Sequence, residues 1–196
     1  MHLYSSIDYA MMHWIDFIHG DESAFEAIYR EYIDDLFAFG VKYHSDRETV
    51  LDCIHDLFVN LYNNPKIAKD VQVKFYLFSS LRRRLMRVKK EKDKFQEAPL
   101  AEELLWTSSP ELEWIKRENE IVNTQRIKKH IEKLPKRQRE VLFLKYYMNF
   151  SYDEISSMMD VSVESCRTLS YRAIKQLKAD LQPLGFGLLA VFKFFI

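Results

Sequence analysis

Between Leu134 and Lys178 the chain carries three short helical patterns separated by two breaks, a spacing few folds can accommodate. Leu134-Pro135 opens the first, since Pro is favoured at a first helical position, where its missing N–H would have no partner; Val141, Leu142 and Leu144 supply its apolar side. Ser151-Tyr152-Asp153-Glu154 has the form of a capping box ahead of Ile155, Met158 and Met159, so a second short helix is expected to start at Ser151. Asp160-Val161-Ser162 breaks that helix, and Ser162 can cap a third. Val163, Cys166, Ser170, Ala173, Ile174 and Leu177 fall on one face of the third helix, and Glu164, Ser165, Arg167, Thr168, Arg172, Lys175 and Lys178 on the other. A helix with short polar side chains and an Arg near its N-terminal end, and cations further along, suits base edges first and phosphates second. The pattern therefore reads as a DNA-binding helix-turn-helix, with Ser165, Arg167, Thr168, Arg172 and Lys175 as candidate contacts.

The formal net charge of +0 conceals four blocks of alternating sign. Residues 1–73 hold 5 Lys+Arg against 13 Asp+Glu, net −8, and residues 74–94 hold 9 against 2, net +7. Residues 95–120 hold 2 against 7, net −5, and residues 121–196 hold 13 against 7, net +6. A basic block gains from releasing the counterions condensed on DNA, whereas an acidic block has to face something else, such as a basic protein surface.

The first half reads as helical too. Asp21 to His44 is expected to form one helix, with Phe25, Ile28, Tyr29, Tyr32, Leu36 and Phe39 inward. Asp46 can cap the next, whose buried stripe is Val50, Ile54, Leu57, Phe58 and Leu61, with Asp52, His55 and Asp56 lying away from most of it. Asn63-Asn64-Pro65 ends that helix. A third runs from about Val73 to Lys92, with Phe78, Leu81, Leu85 and Val88 inside and Arg82, Arg83, Arg84, Arg87, Lys89 and Lys90 outside.

Four fragments in series resemble the extracytoplasmic-function (ECF) sigma factors, the two-domain kind of bacterial transcription initiation factor. Asp46-Arg47-Glu48 followed by Asp52-Cys53-Ile54-His55-Asp56-Leu57-Phe58 is similar to D-R-E…D-x-x-Q-D-x-F of the polymerase-binding domain. Leu134-Pro135-Lys136-Arg137-Gln138-Arg139-Glu140-Val141 resembles L-P-x-x-Q-R-E-V, Phe150-Ser151-Tyr152-Asp153-Glu154-Ile155 resembles L-S-Y-x-E-I, and Tyr171-Arg172-Ala173 resembles H-R-A. The resemblance covers Asp21 to Lys178. It implies a region 2-like domain over 1–94, a linker over 95–117, a region 4-like helix-turn-helix domain over 118–182 and an apolar tail over 183–196.

The same resemblance implies roles. Asp52, His55 and Asp56 would dock on the clamp helices of core RNA polymerase, while the C-terminal domain meets its flap. Phe58 is expected to pack inside. Phe75, Tyr76, Arg82, Arg83, Arg84 and Arg87, with the loop from Asn64 to Gln72, would engage the −10 region, where unstacking a base costs a few kcal/mol that aromatic and cationic contacts offset. Ser165, Arg167, Thr168, Arg172 and Lys175 would read the −35 element. Where the family usually has Gln this chain has His55, which still donates one hydrogen bond when neutral. Asp160 replaces a common Gly at the turn, and Asp tolerates positive φ. Arg83 stands where Asn is frequent and Leu169 where Arg is frequent, so the promoter sequence is not carried over. Two other readings stay open: a polymerase-binding adaptor brought to DNA by another factor, and a helix-turn-helix regulator that never touches polymerase.

Composition fits an all-α chain of two small helical domains joined by an acidic linker: four Gly, five Pro, long 3.6-period stretches and no alternating runs. Cys53 and Cys166 lie in different domains with no C-x-x-C and read as small buried thiols, and the six His show no metal-ligand spacing, so neither a metal nor any other cofactor is expected. The sequence has no phosphate-cradling Gly-rich loop, H-E-x-x-H or nucleophile elbow, so no enzyme is expected. The N-terminus is acidic and unlike a signal peptide, which suggests a cytoplasmic protein. In the linker, Glu97, Glu102 and Glu103 form either a solvated tether or, as the resemblance implies, a phosphate mimic in a polymerase channel, with Trp106 as anchor. The tail from Pro183 to Ile196 is too short to span a bilayer, which takes about 20 apolar residues. Either it folds back on its own domain or it docks on a partner, for which the resemblance suggests a membrane-held anti-sigma factor.

Overall fold

The computed structural model describes residues 3–64, 71–95 and 129–181, with the backbone alone at 3–9 and 92–95. The linker with Trp106, most of the Asn64 to Gln72 loop, residues 118–128 and the 183–196 tail lie outside the described residues. The chain divides into two compact units, Met1–Thr107 and Ser108–Ile196. Among the described residues every regular element is helical, as the periodicity requires.

The first unit has four helices. Helix α1 (Leu3–Ile18) buries Ala10, Trp14 and Phe17 at i, i+4 and i+7, and Gly20 at φ 97° ends it. No element was expected before Asp21, so α1 is an addition. Asp21 caps α2 (Glu22–Gly40), accepting from the N–H groups of Ser23 at 2.8 Å and Ala24 at 3.3 Å. A bond from the Ser23 hydroxyl at 2.7 Å, and then these two, hold its carboxyl below the usual range. The helix stops at Gly40 rather than at His44, because the Lys42 N–H turns to the Phe39 carbonyl at 3.0 Å in a tighter turn. Of the six residues expected inward on α2, Ile28, Tyr32, Leu36 and Phe39 are buried and Phe25 is half-buried, whereas Tyr29 is 40% exposed. Tyr29 borders the apolar stripe and lays one side of its ring against Phe58, centroids 4.8 Å apart.

Asp46 caps α3 (Arg47–Tyr62), as expected, and Val50, Cys53, Ile54, Leu57, Phe58 and Leu61 are buried along it. Helix α4 (Val73–Phe95) buries Val73, Leu77, Phe78, Leu81 and Leu85 and leaves Val88 half-buried. The centre of the unit is aromatic: Phe78 meets Phe39 edge-to-face at 5.1 Å and 89°, and Tyr32 at 6.5 Å. At Gly40 the helices approach so closely that a Cβ would lie 2.5 Å from Val50 Cγ1 and 3.6 Å from side-chain carbons of Leu81 and Leu85.

In the second unit a helical turn at 129–132 precedes α5 (Lys136–Leu142). Pro135 is the residue before that helix, with ψ 144°, one place earlier than expected. Helix α5 continues without a break into a π-helical turn, Phe143–Tyr147, where the Met148 N–H reaches the Phe143 carbonyl at 3.0 Å. Asn149 at φ 60° then lets the chain reverse. Ser151 caps α6 (Tyr152–Met159) through both bonds of the capping box: the Glu154 N–H donates to its hydroxyl at 3.2 Å, and the Ser151 N–H donates to the Glu154 carboxylate at 2.7 Å. Asp160, left-handed at φ 54° and ψ 54°, makes the turn, and the Ser162 hydroxyl accepts from the Ser165 N–H at 3.1 Å to start α7 (Val163–Leu181). Cys166, Ser170, Ala173, Leu177 and Leu181 of α7 are buried, and the last three join Ile131, Leu134 and Leu142 in the core. Ser151→Ala removes the acceptor of the Glu154 N–H while keeping the backbone bond from residue 151 to the Glu154 carboxylate, and is expected to cost about 1 kcal/mol in thermal melts of the full chain.

Candidate functional site

Three helix faces collect the expected residues, those of α3 and α4 in the first unit and that of α7 in the second. On α3, Asp52, His55 and Asp56 are all exposed, clear of the buried stripe. Beside them runs an apolar ridge that was not anticipated: Leu51 is 49% exposed, Val59 42% and Tyr62 50%. With His55 these residues fall within about 80° of helix arc. Its signal was present in the sequence as i, i+4, i+8 and i+11 spacing, turned away from the core stripe, although the Tyr62 ring still meets Phe25 edge-to-face at 5.2 Å. The face is thus an apolar strip edged by two carboxylates, a combination suited to a basic protein surface that also has apolar area to bury. The Tyr62 hydroxyl donates to Glu22 at 2.9 Å, which raises the phenol's pKa and fixes this end of the ridge to α2.

The cations of α4 divide. Arg83 and Arg87, four apart, are exposed, and Arg83 donates to the Ser80 hydroxyl at 3.2 Å. Arg82 lies over the Tyr43 ring at 5.5 Å on one flank. Arg84, on the other flank, approaches the Asp56 carboxylate at 3.9 Å, joining the acidic face of α3 to the basic helix. Phe75 and Tyr76 are both half-buried, and the Tyr76 ring meets Trp14 of α1 edge-to-face at 5.4 Å. Tyr76 therefore serves packing on one side and presents only part of its ring to a ligand.

On α7 the expected division of faces is present. Ser165, Arg167, Arg172 and Lys175 are exposed and Thr168 is half-buried. The Ser165 hydroxyl is 2.8 Å from that of Ser162, so it belongs to the cap before it can meet a base. Arg167 lies 3.8 Å from the Glu164 carboxylate and its guanidinium carbon is 5.9 Å from the centre of the Tyr152 ring. Tyr171 is 66% exposed, four residues after Arg167 and four before Lys175, and it completes this face although it was not among the expected contacts. Cys166 is fully buried and burial pushes its thiol pKa up, in keeping with an inert side chain; Cys53 is buried too. Among the described residues no group of His, Cys, Asp or Glu is arranged to hold a metal ion.

Residues 124–177 match the family Sigma-70, region 4, which places the helix-turn-helix inside a known domain type. The ECF RNA polymerase sigma factor SigM of Bacillus subtilis (strain 168) is 24% identical over 161 residues, covering 79% of this chain and 93% of that protein. Two solved structures share the fold at a TM-score of 0.57. CnrH, solved with the cytosolic domain of CnrY, is 16% identical and the match covers 89% of this chain and 98% of that one. The sigma factor RpoE, solved with the anti-sigma factor NepR from Bartonella quintana, is 18% identical and the match covers 81% and 96%. The second unit thus carries a Sigma-70, region 4 domain, and across most of its length the chain is similar to an ECF sigma factor.

Proposed function

We propose that this chain is a transcription initiation factor that binds core RNA polymerase through α3 and directs it to promoters through α4 and α7. The observation that carries this reading is the separation of charge onto distinct helices: carboxylates with an apolar ridge on α3, cations on α4 and α7. Asp52, His55 and Asp56 orient the docking on the polymerase clamp helices, and Leu51, Val59 and Tyr62 add apolar area. Charged pairs at such an interface mainly set encounter rate and register. Arg83 and Arg87 are the outward cations for the −10 strand, with Arg82 at the flank. Arg84 is divided between that task and Asp56. The domain limits follow as 1–94 for polymerase and −10 binding and 118–182 for the −35 element, with 95–117 between them.

The factor works by binding and catalyses no reaction of its own; it acts in the cytoplasm beside polymerase. Among the described residues no helix is long and apolar enough to cross a membrane. The similarity to RpoE, solved with the anti-sigma factor NepR, supports an inhibitory protein partner here as well. Run-off transcription with purified core polymerase tests the whole reading. Specific transcripts from mapped promoters support it; polymerase binding without initiation would leave an adaptor, and no polymerase binding would leave a separate regulator.

On α7 the roles differ along the helix. Arg167→Ala is expected to cost roughly 1 to 3 kcal/mol and relax preference at one base pair, because an Arg near the helix start reaches base edges. Lys175→Ala should weaken all sequences alike and reduce the salt dependence of binding, because it meets phosphate. Selection from duplexes randomised over the −35 segment separates the two effects. Equal, sequence-independent losses would mean that α7 only grips the backbone.

A further inference from the structure

Tyr152, the first residue of α6, connects three things that DNA contact alone would not require. Its hydroxyl donates to the Ser170 hydroxyl at 3.2 Å, and Ser170 is a polar side chain on the buried face of α7, 1% exposed. The Tyr146 hydroxyl belongs to the same cluster. Two cations lie near the Tyr152 ring: Lys145 Nζ at 4.9 Å and the Arg167 guanidinium carbon at 5.9 Å from its centre. Lys145 is itself tied to the Phe150 carbonyl at 3.2 Å.

A ring anchored at its hydroxyl end has little freedom to swing, and an aromatic face attracts a guanidinium held over it. That attraction uses the face of the guanidinium and leaves its rim of N–H donors for hydrogen bonding, so it does not compete with a bidentate contact to a base. The Glu164 carboxylate lies 3.8 Å from Arg167 Nη1, an ion pair longer than a hydrogen bond, and at an exposed site such a pair holds weakly. The ring therefore restricts where the Arg167 fork can go before DNA arrives, which reduces the ordering that recognition would otherwise require.

We propose that Tyr152 is a positioning residue for promoter recognition: anchored to buried Ser170, its ring holds the Arg167 guanidinium in reading geometry at the start of α7. This rests on α7 being the DNA-reading helix. The test uses holoenzyme formed from the full chain and core polymerase, with duplexes randomised over the −35 segment as probe. Tyr152→Leu should lower discrimination at the base pair that depends on Arg167 by about two- to fivefold, the range expected from an exposed cation–π contact. Tyr152→Phe keeps the ring and should restore most of it. Tyr152→Leu should add nothing in an Arg167→Ala background. Unaltered discrimination in Tyr152→Leu, or an equal further loss in the Arg167→Ala background, overturns the proposal.

Proton NMR of the unaltered chain gives a readout that does not depend on how the variants fold. The Arg167 side-chain protons should show ring-current displacement, and its absence also overturns the proposal. If instead Arg167→Ala leaves base preference unchanged, the DNA-reading assignment of α7 has failed, whatever the Tyr152 variants do.

Discussion

Replacing Asp52 and Asp56 together with Lys is expected to lower affinity for core polymerase by about 100-fold or more, because like charges brought into register across an interface cost several kcal/mol. The unit itself should remain folded. Both carboxylates are exposed and lie off the buried stripe of α3, where substitutions usually change stability by about 0.5 kcal/mol or less. Asp56 adds a small further loss, since its largely exposed carboxylate lies 3.9 Å from the partly covered Arg84 and the incoming Lys faces that Arg. Co-purification with core polymerase reads the first expectation and a thermal melt reads the second. Wild-type yield of the complex with the double variant would remove α3 as the docking helix. Loss of binding with a melt lowered by more than a few degrees would mean that the charges act through the fold.

Phe78→Ala should have the largest effect on stability, about 3 to 5 kcal/mol, because it opens a void where three rings meet. Phe78 is fully buried, edge-on to Phe39 and near Tyr32, so no single neighbour can collapse into the space. A small domain has only about 5 to 15 kcal/mol in total, so a substantial part of the first unit's stability would go. Urea titration of the full chain measures it. Phe75→Ala, at a half-buried position three residues earlier on α4, should cost much less in the same titration and act instead on promoter opening. A loss below about 1 kcal/mol for Phe78→Ala would mean that the aromatic centre repacks.

The helix starts at Asp46, Ser151 and Ser162 were legible in the sequence because a cap is a local device, written within four residues of itself. Asp160 was legible for the same reason: one residue type tolerates the backbone that the turn requires. Helix α1 is not legible in the sequence, although Ala10, Trp14 and Phe17 carry its spacing, because Met11, Met12 and Ile15 spread apolar residues around the helix and blur its inner face. The π-helical turn at Phe143–Tyr147, whose first two residues are buried, left no mark in the local spacing. For the candidate site, charge and exposure were readable along each helix, but partners were not. Nothing in the spacing of α4 says that Arg84 meets Asp56 or that Tyr76 leans on Trp14, because those contacts depend on which neighbouring helix each flank meets. The Tyr152 cluster was hidden likewise, for it spans α6 and α7 and its buried member, Ser170, looks in sequence like a small core residue.

The close approach at Gly40 makes positions 40 and 50 share one volume. Any side chain gained at 40 has to be taken from 50, where Val50 is fully buried and its methyl group occupies the space that a Cβ would enter. Helices α2 and α3 are thereby held at a separation that neither residue determines alone. Distant relatives that lack a Gly here should carry a smaller side chain at the position of Val50, or an α3 displaced outward. An outward α3 would carry Asp52, His55 and Asp56 with it, so a single methyl group in the interior bears on how far the proposed docking face stands from the body of the unit.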